Sequence, residues 1–272
     1  MNVVLYSTFW LLNRSRSGLI ALLTGVALFE FIQPVAIASF RDLQMMQAIA
    51  SYVPPAFLAM FNMPEGFLQQ ANLSGFLSLG FSHPVYHLLS SATVIWFVTR
   101  NLTGEIESGS IQVSLSRPVA RWQVYLARVA GVAVVAMLVS VVGSLGMIIG
   151  IFAGRPDGTV DYANFPVLAF AAFMLLLGIG GVALAIAATA DRAGQAVGWS
   201  IAFLVISFVI DYFAQLWNTL EPLDPLSVFN YFEPVRALSQ GSMEPANAIV
   251  LITVSLIGAT IGNVVFGRRD LP

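Results

Sequence analysis

Six stretches of predominantly apolar residues, approximately 19–39, 85–103, 124–152, 166–190, 196–217 and 246–266, set the terms on which this chain can fold. Each approaches or exceeds the roughly twenty residues that a helix needs to cross the hydrocarbon core of a bilayer. Inside lipid a backbone must satisfy its own N–H and C=O groups, which leaves helices or closed barrels, and segments of this length select helices. The expectation is an all-α polytopic membrane protein with six transmembrane helices, forming a single transmembrane domain over 1–272. Composition agrees: hydrophobic residues fill 58% of 272 positions and charged residues 10%. Mean hydropathy is +0.83.

An even number of crossings puts both termini on one side. Arg14, Arg16, Arg100, Arg117, Arg121, Arg128, Arg192, Arg268 and Arg269 fall on one side of the expected spans, against Arg41, Arg155 and Arg236 on the other. Cytoplasmic flanks collect the basic residues, so both termini are expected in the cytoplasm, with no cleaved leader ahead of the first span.

Absences narrow the chemistry. All twelve basic residues are arginine, so no lysine can reach the phosphates from a Walker A loop or form a Schiff base. No cysteine is present and only two histidines, which excludes thiolate nucleophiles, cysteine-type zinc sites and three-histidine metal sites. A net charge of −2 with scattered arginines gives no surface for nucleic acid. No metal, cofactor or catalytic group is therefore assigned to this chain.

Outside the spans, residues 1–17, with Arg14 and Arg16 after NVVLYSTFWLL, predict a short interfacial helix on the inner leaflet. The segment 41–84 keeps apolar runs and predicts short helices packed on the outer leaflet. Four prolines within 218–245 break any long helix and predict re-entrant or surface-lying extracellular helices between spans five and six. Glycine pairs at 146/150, 194/198 and 258/262 predict close helix packing within the chain or between copies. Glu30 and Asp211 are carboxylates inside spans, and so candidates for a pathway or residents of the outer interface. His83 and His87 read as interfacial, and the five tryptophans mostly as interfacial anchors.

Polar chemistry concentrates in GEIESGSIQVSLSRPVAR, residues 104–121. Leu102, Ile106 and Val113 predict one apolar stripe on a short cytoplasmic helix, with Glu105 and Glu107 turned elsewhere to accept donors from a partner. Gly109 and Ser110 allow a turn, and Pro118 suits the first turn of the next helix.

Continuing into WQVYLAR, this stretch resembles the first cytoplasmic loop of ABC-2 type permeases, matching at Gly104, Glu105, Gly109, Ser110, Leu115, Pro118 and Arg121. LSVFNYFEPVRALSQG (226–241) resembles that family's segment between spans five and six, and AIAATADRAGQAVG (185–198) its second cytoplasmic turn. Ser114, Ala120 and Arg128 depart from the usual pattern.

The resemblance implies a permease subunit of an ATP-driven exporter in a bacterial inner membrane. Its coupling helix would dock on a cytoplasmic ABC ATPase dimer through Gly104, Glu105, Glu107, Gly109, Ser110, Arg117, Pro118 and Arg121. ATP and magnesium would be held by that partner, and a second permease copy would complete the pathway as a homodimer. Two other readings remain at this point. One is a subunit that transmits force to an extracytoplasmic partner; the other is an intramembrane hydrolase, for which no Gly-x-Ser-x-Gly elbow or paired intramembrane aspartates occur.

Overall fold

A computed structural model describes residues 3–39, 52, 54, 72–116, 119–217 and 219–269. Every regular element among them is a helix, as expected for this composition. In chain order the α-helices are α1 Val3–Arg14, α2 Arg16–Ala38, α3 Leu73–Ser82, α4 Pro84–Asn101, α5 Thr103–Glu107, α6 Ile111–Leu115, α7 Arg121–Gly154, α8 Phe165–Thr189, α9 Ala193–Leu216, α10 Pro234–Gln240 and α11 Pro245–Arg268. Short 3₁₀ turns lie at Tyr162–Asn164, Glu221–Leu226 and Phe229–Tyr231.

Five helical segments are long and apolar enough to cross a membrane: Arg16–Ala38, Arg121–Gly154, Tyr162–Thr189, Ala193–Leu216 and Pro245–Arg268. The remaining expected stretch, 85–103, corresponds to α4, an 18-residue helix of about 27 Å. It differs because it is packed among α2, α7, α8 and α9, so protein covers its polar side chains. The hydroxyls of Ser90, Thr93 and Thr99 bond back to the carbonyls of Tyr86, Leu89 and Ile95 at 2.7–2.8 Å, which satisfies them without an outside partner.

Close backbone approach organises two helix pairs. Without a hydrophobic drive between helices in lipid, small residues that let backbones touch supply the packing. A Cβ on Gly146 would sit 2.5 Å from the Ala27 carbonyl, and one on Gly150 would collide with Phe31, so α7 and α2 lie backbone to backbone. Gly258 meets Gly181 and Gly262 meets Tyr125, seating α11 against α8 and α7. Gly194 and Gly198 on α9 differ: nothing lies within 4 Å of an added Cβ. Two of the three glycine pairs thus serve packing inside the chain, and the third faces outward.

The short helix α3 sits differently from the expectation. Much of 41–84 lies outside the described residues, but α3 within it is buried along almost its whole length. It packs on α2, α4 and α10 instead of lying on a leaflet. Its glycines explain this, since Gly80 lets α3 close against Glu30 and Gln33 of α2. α10 and the 3₁₀ turns bring Val228, Phe229, Phe232, Ala237 and Leu238 into the core. A serine clasp fixes them to α9: Ser207 Oγ accepts from the Val228 N–H at 2.9 Å and pairs with Ser227 Oγ at 3.2 Å.

α1 is a separate helix, broken from α2 at Ser15. Thr8 anchors it by donating to the Ala127 carbonyl of α7 at 3.1 Å, while Leu5, Phe9 and Trp10 face outward.

Candidate functional site

The connector between α4 and α7 lies at the end of the bundle where the arginines gather. Its polar groups are joined to four other helices. α5 and α6 are separated by a turn at Gly109, whose φ of +69° is the left-handed conformation that glycine adopts without strain. Ser108 closes α5 by donating to the Gly104 carbonyl at 2.8 Å, and its hydroxyl also pairs with Ser110 at 2.9 Å.

Glu105 is turned inward and is only 2% exposed. Arg14 of α1 donates to one of its oxygens at 2.9 Å, and Arg128 of α7 donates to the other. Arg128 is itself buried and spends its remaining donors on the carbonyls of Asn101 at 2.8 Å and Val124 at 2.6 Å. Asn101 in turn donates to Ser15 Oγ at 3.0 Å and the Phe97 carbonyl at 2.9 Å. A buried charge pair is tolerable when its remaining hydrogen-bonding capacity is also used, and this knot meets that condition.

Further bonds tie the connector to the other helices. Thr103 donates to the Ala187 carbonyl of α8 at 3.0 Å. Glu107, exposed to solvent, accepts from the Ala193 N–H that opens α9 at 2.8 Å, a favourable place for a carboxylate. Arg121 donates to the Arg269 carbonyl at 2.7 Å, and Arg269 reaches the carbonyls of Ala188 and Ala190 and the carboxylate of Asp191. α1, α2, α4, α7, α8, α9 and the end of α11 are thereby joined in one polar layer.

These positions revise the expected stripe. Leu102 and Ile106 are buried, but Val113 is 67% exposed and Ile111 takes the buried place. The Gly109 turn interrupts the helical period, so spacing counted across it does not predict a common face. Glu105 does not present its carboxylate to solvent, because Arg14 and Arg128 already occupy it. Gly104 lies under the Thr99 carbonyl, Gly109 and Ser110 form the turn, and Arg121 is spent on the chain's own C-terminal segment. α7 begins at Arg121; Arg117 and Pro118 are outside the described residues. The face left to solvent carries Glu107, Ser108, Gln112, Val113 and Ser116. Sequence reasoning missed Arg14, Ser15, Asn101, Thr103 and Arg128 as members of this layer; the available signal was an arginine, Arg128, falling inside the expected span 124–152.

The opposite end is acidic. Among the described residues it carries Asp157, Asp161, Asp211, Glu221, Asp224, Glu233 and Glu244, with Arg155 and Arg236 as its arginines. Glu30 is fully buried, beside Gly80 and Met147. Neither carboxylate oxygen has a hydrogen-bond partner among the described residues. Pro34, four residues on, has no N–H to give the Glu30 carbonyl. Asp211 is also buried, near the C-terminal end of α9.

The two histidines do not share a helical face, since His83 precedes α4 and caps it, Nδ1 accepting from the Val85 N–H at 3.1 Å. His87 packs in the interior, with ring centroids 4.8 Å from Phe229 and 5.8 Å from Phe232. No group of three or more metal-ligating side chains occurs among the described residues. Trp96 is wedged against Gly18, whereas Trp10, Trp122, Trp199 and Trp217 are exposed.

Apolar helices of bilayer length, joined at one arginine-rich end by a structured polar connector, define a multi-pass membrane protein of the transport-permease class. The chain belongs to the family described as ABC-2 family transporter protein, which matches residues 14–271. Among curated proteins none matches it.

Proposed function

We propose that this chain is the permease subunit of an ATP-driven exporter, moved by separate ABC ATPase subunits that dock on its connector. The arginine-rich end faces the cytoplasm of a bacterial cell, both termini lie there, and α4 completes six crossings of the inner membrane. ATP and magnesium belong to the partner. A second copy of the chain completes the pathway, a reading supported by the outward Gly194/Gly198 face of α9.

The observation that carries this reading is the double character of the connector. Glu105, Thr103 and Glu107 pin its α5 half to α1, α7, α8 and α9. Its α6 half leaves Val113 and Ser116 in solvent. Displacement of such a unit by a partner would be passed to several spans at once.

The test is coexpression with a candidate ATPase, followed by copurification and measurement of permease-stimulated hydrolysis in nanodiscs. Val113→Asp should abolish stimulation and copurification while leaving thermal stability unchanged, because a solvent-facing valine contributes little to the fold. Full stimulation in that variant overturns the docking role. Flux in proteoliposomes, without any extracytoplasmic protein, separates transport from force transmission.

A further inference from the structure

α3 and α4 are separated by one residue, His83, and the break leaves the carbonyl end of α3 open. Pro84 has no N–H to offer the Gly80 carbonyl, which takes the His83 N–H at 3.1 Å instead. The Val85 N–H is diverted to His83 Nδ1 at 3.1 Å. The carbonyls of Phe81 and Ser82 receive no backbone N–H among the described residues. Ser82 Oγ is buried and also has no partner among them.

Glu30 of α2 meets this end of α3. Its Oε2 lies 2.7 Å from a Cβ built on Gly80, in the last turn, so glycine is what leaves the carboxylate room against the backbone. The residue is 0% exposed, and neither carboxylate oxygen has a hydrogen-bond partner among the described residues. The carbonyl end of a helix carries partial negative charge. An ionised Glu30 would therefore face a dipole of its own sign, with no water and no donor. Helix carbonyl ends beside intramembrane acids suit a cation or a proton.

The elements packed around Glu30 contribute Gln33 from α2 and Met147 from α7, and α3 has no ionisable side chain. On the α4 side, His83 stands 5.3 Å from Phe29 by ring centroids, and Tyr86 meets a Cβ built on Gly143 together with Val26. His87 packs on Phe229 and Phe232. Arg155, just past α7, is exposed. Arg41 lies outside the described residues.

We propose that Glu30 is a proton-binding site sealed by α3. It holds a proton while α3 is closed over it, and ionises only when α3 withdraws and water enters. A proton needs no coordination sphere, which suits a single carboxylate packed against backbone. Opening releases one proton, so acid favours the closed state and rising pH weakens it.

The experiment uses the full chain in nanodiscs. Infrared difference spectra of parent minus Glu30→Gln, taken near neutral pH, should show the C=O stretch of a protonated carboxylic acid, shifted in heavy water. Hydrogen exchange, corrected for its intrinsic pH dependence, should lose protection at residues 73–82 as pH rises from about 6 to about 9, by up to about tenfold per unit. In Glu30→Gln that protection should be independent of pH. His83 and Tyr86 remain in the variant, so the same pH dependence there would belong to them and overturn the site. Absence of the carboxylic acid band from the difference spectrum also overturns it. Arg41→Gln and Arg155→Gln should leave both signals as in the parent. A band that appears only when one of these arginines is removed would make Glu30 its ion-pair partner and overturn the proposal.

Discussion

Glu105 and Arg14 meet at 2.9 Å across 91 positions of sequence, binding the first helix of the chain to the connector after α4. Arg128 grips the other oxygen of the same carboxylate from α7. The two arginines are not equivalent, since Arg14 is 43% exposed at its side chain and Arg128 only 4%.

That difference sets an order of stabilities. Arg128→Met should destabilise the chain by about 3–5 kcal/mol, because it leaves Glu105 buried with its main partner gone. Arg14→Ala should cost about 0–1 kcal/mol, as for an exposed pair. Reversible unfolding in mixed micelles measures both, and equal losses would refute the assigned burial. Glu105→Gln combined with Arg128→Met should recover part of the loss.

The glycine pairs give a second contrast. Gly150→Ala should lower stability by about 1–3 kcal/mol by forcing α7 away from α2. Within the single chain Gly198→Ala should be neutral, or stabilising by up to about 1 kcal/mol, since nothing of the chain's own described residues lies within 4 Å of its Cβ and alanine is the better helix former. Thermal unfolding of the two variants in detergent separates them.

Removal of the serine clasp should loosen the segment between α9 and α11. In Ser207→Ala the buried Val228 N–H loses its acceptor, at a cost of about 1–3 kcal/mol. Hydrogen exchange should quicken first at residues 227–232 and leave α7 and α8 unchanged. Uniform acceleration would show that the clasp has no local role.

Glu30 offers a test of stability against function. A carboxylate enclosed without a donor is a burden on the fold, and methionine matches its length without the charge. Glu30→Met should therefore raise the unfolding midpoint. If the acid serves transport, flux in proteoliposomes should fall in the same variant. A lowered midpoint would mean that Glu30 has a stabilising partner within the fold.

The helices were legible because their signal is long. Segments of about twenty apolar residues leave the backbone no alternative in lipid, and the ends of the six long helices fall within three residues of the expected limits. The connector's place in sequence was legible too, through its density of polar residues and its family resemblance. What could not be read was the direction of individual side chains. A helical stripe drawn through residue 113 failed because one left-handed glycine resets the rotation of everything after it. Glu105 read as a surface acid because its neutralising groups are distant in sequence, and Arg128 looked like one more basic residue at a span's edge. The enclosure of Glu30 could not be read along its own helix, because α3 and α7 make it.

The left-handed turn at Gly109 also makes the connector a jointed crank. α5 is the arm fixed to the bundle, and α6 lies beyond the joint, with Val113 turned to solvent and Ile111 turned inward. Gly109→Ala would strain that joint, because a φ of +69° is one that a residue with a Cβ rarely adopts.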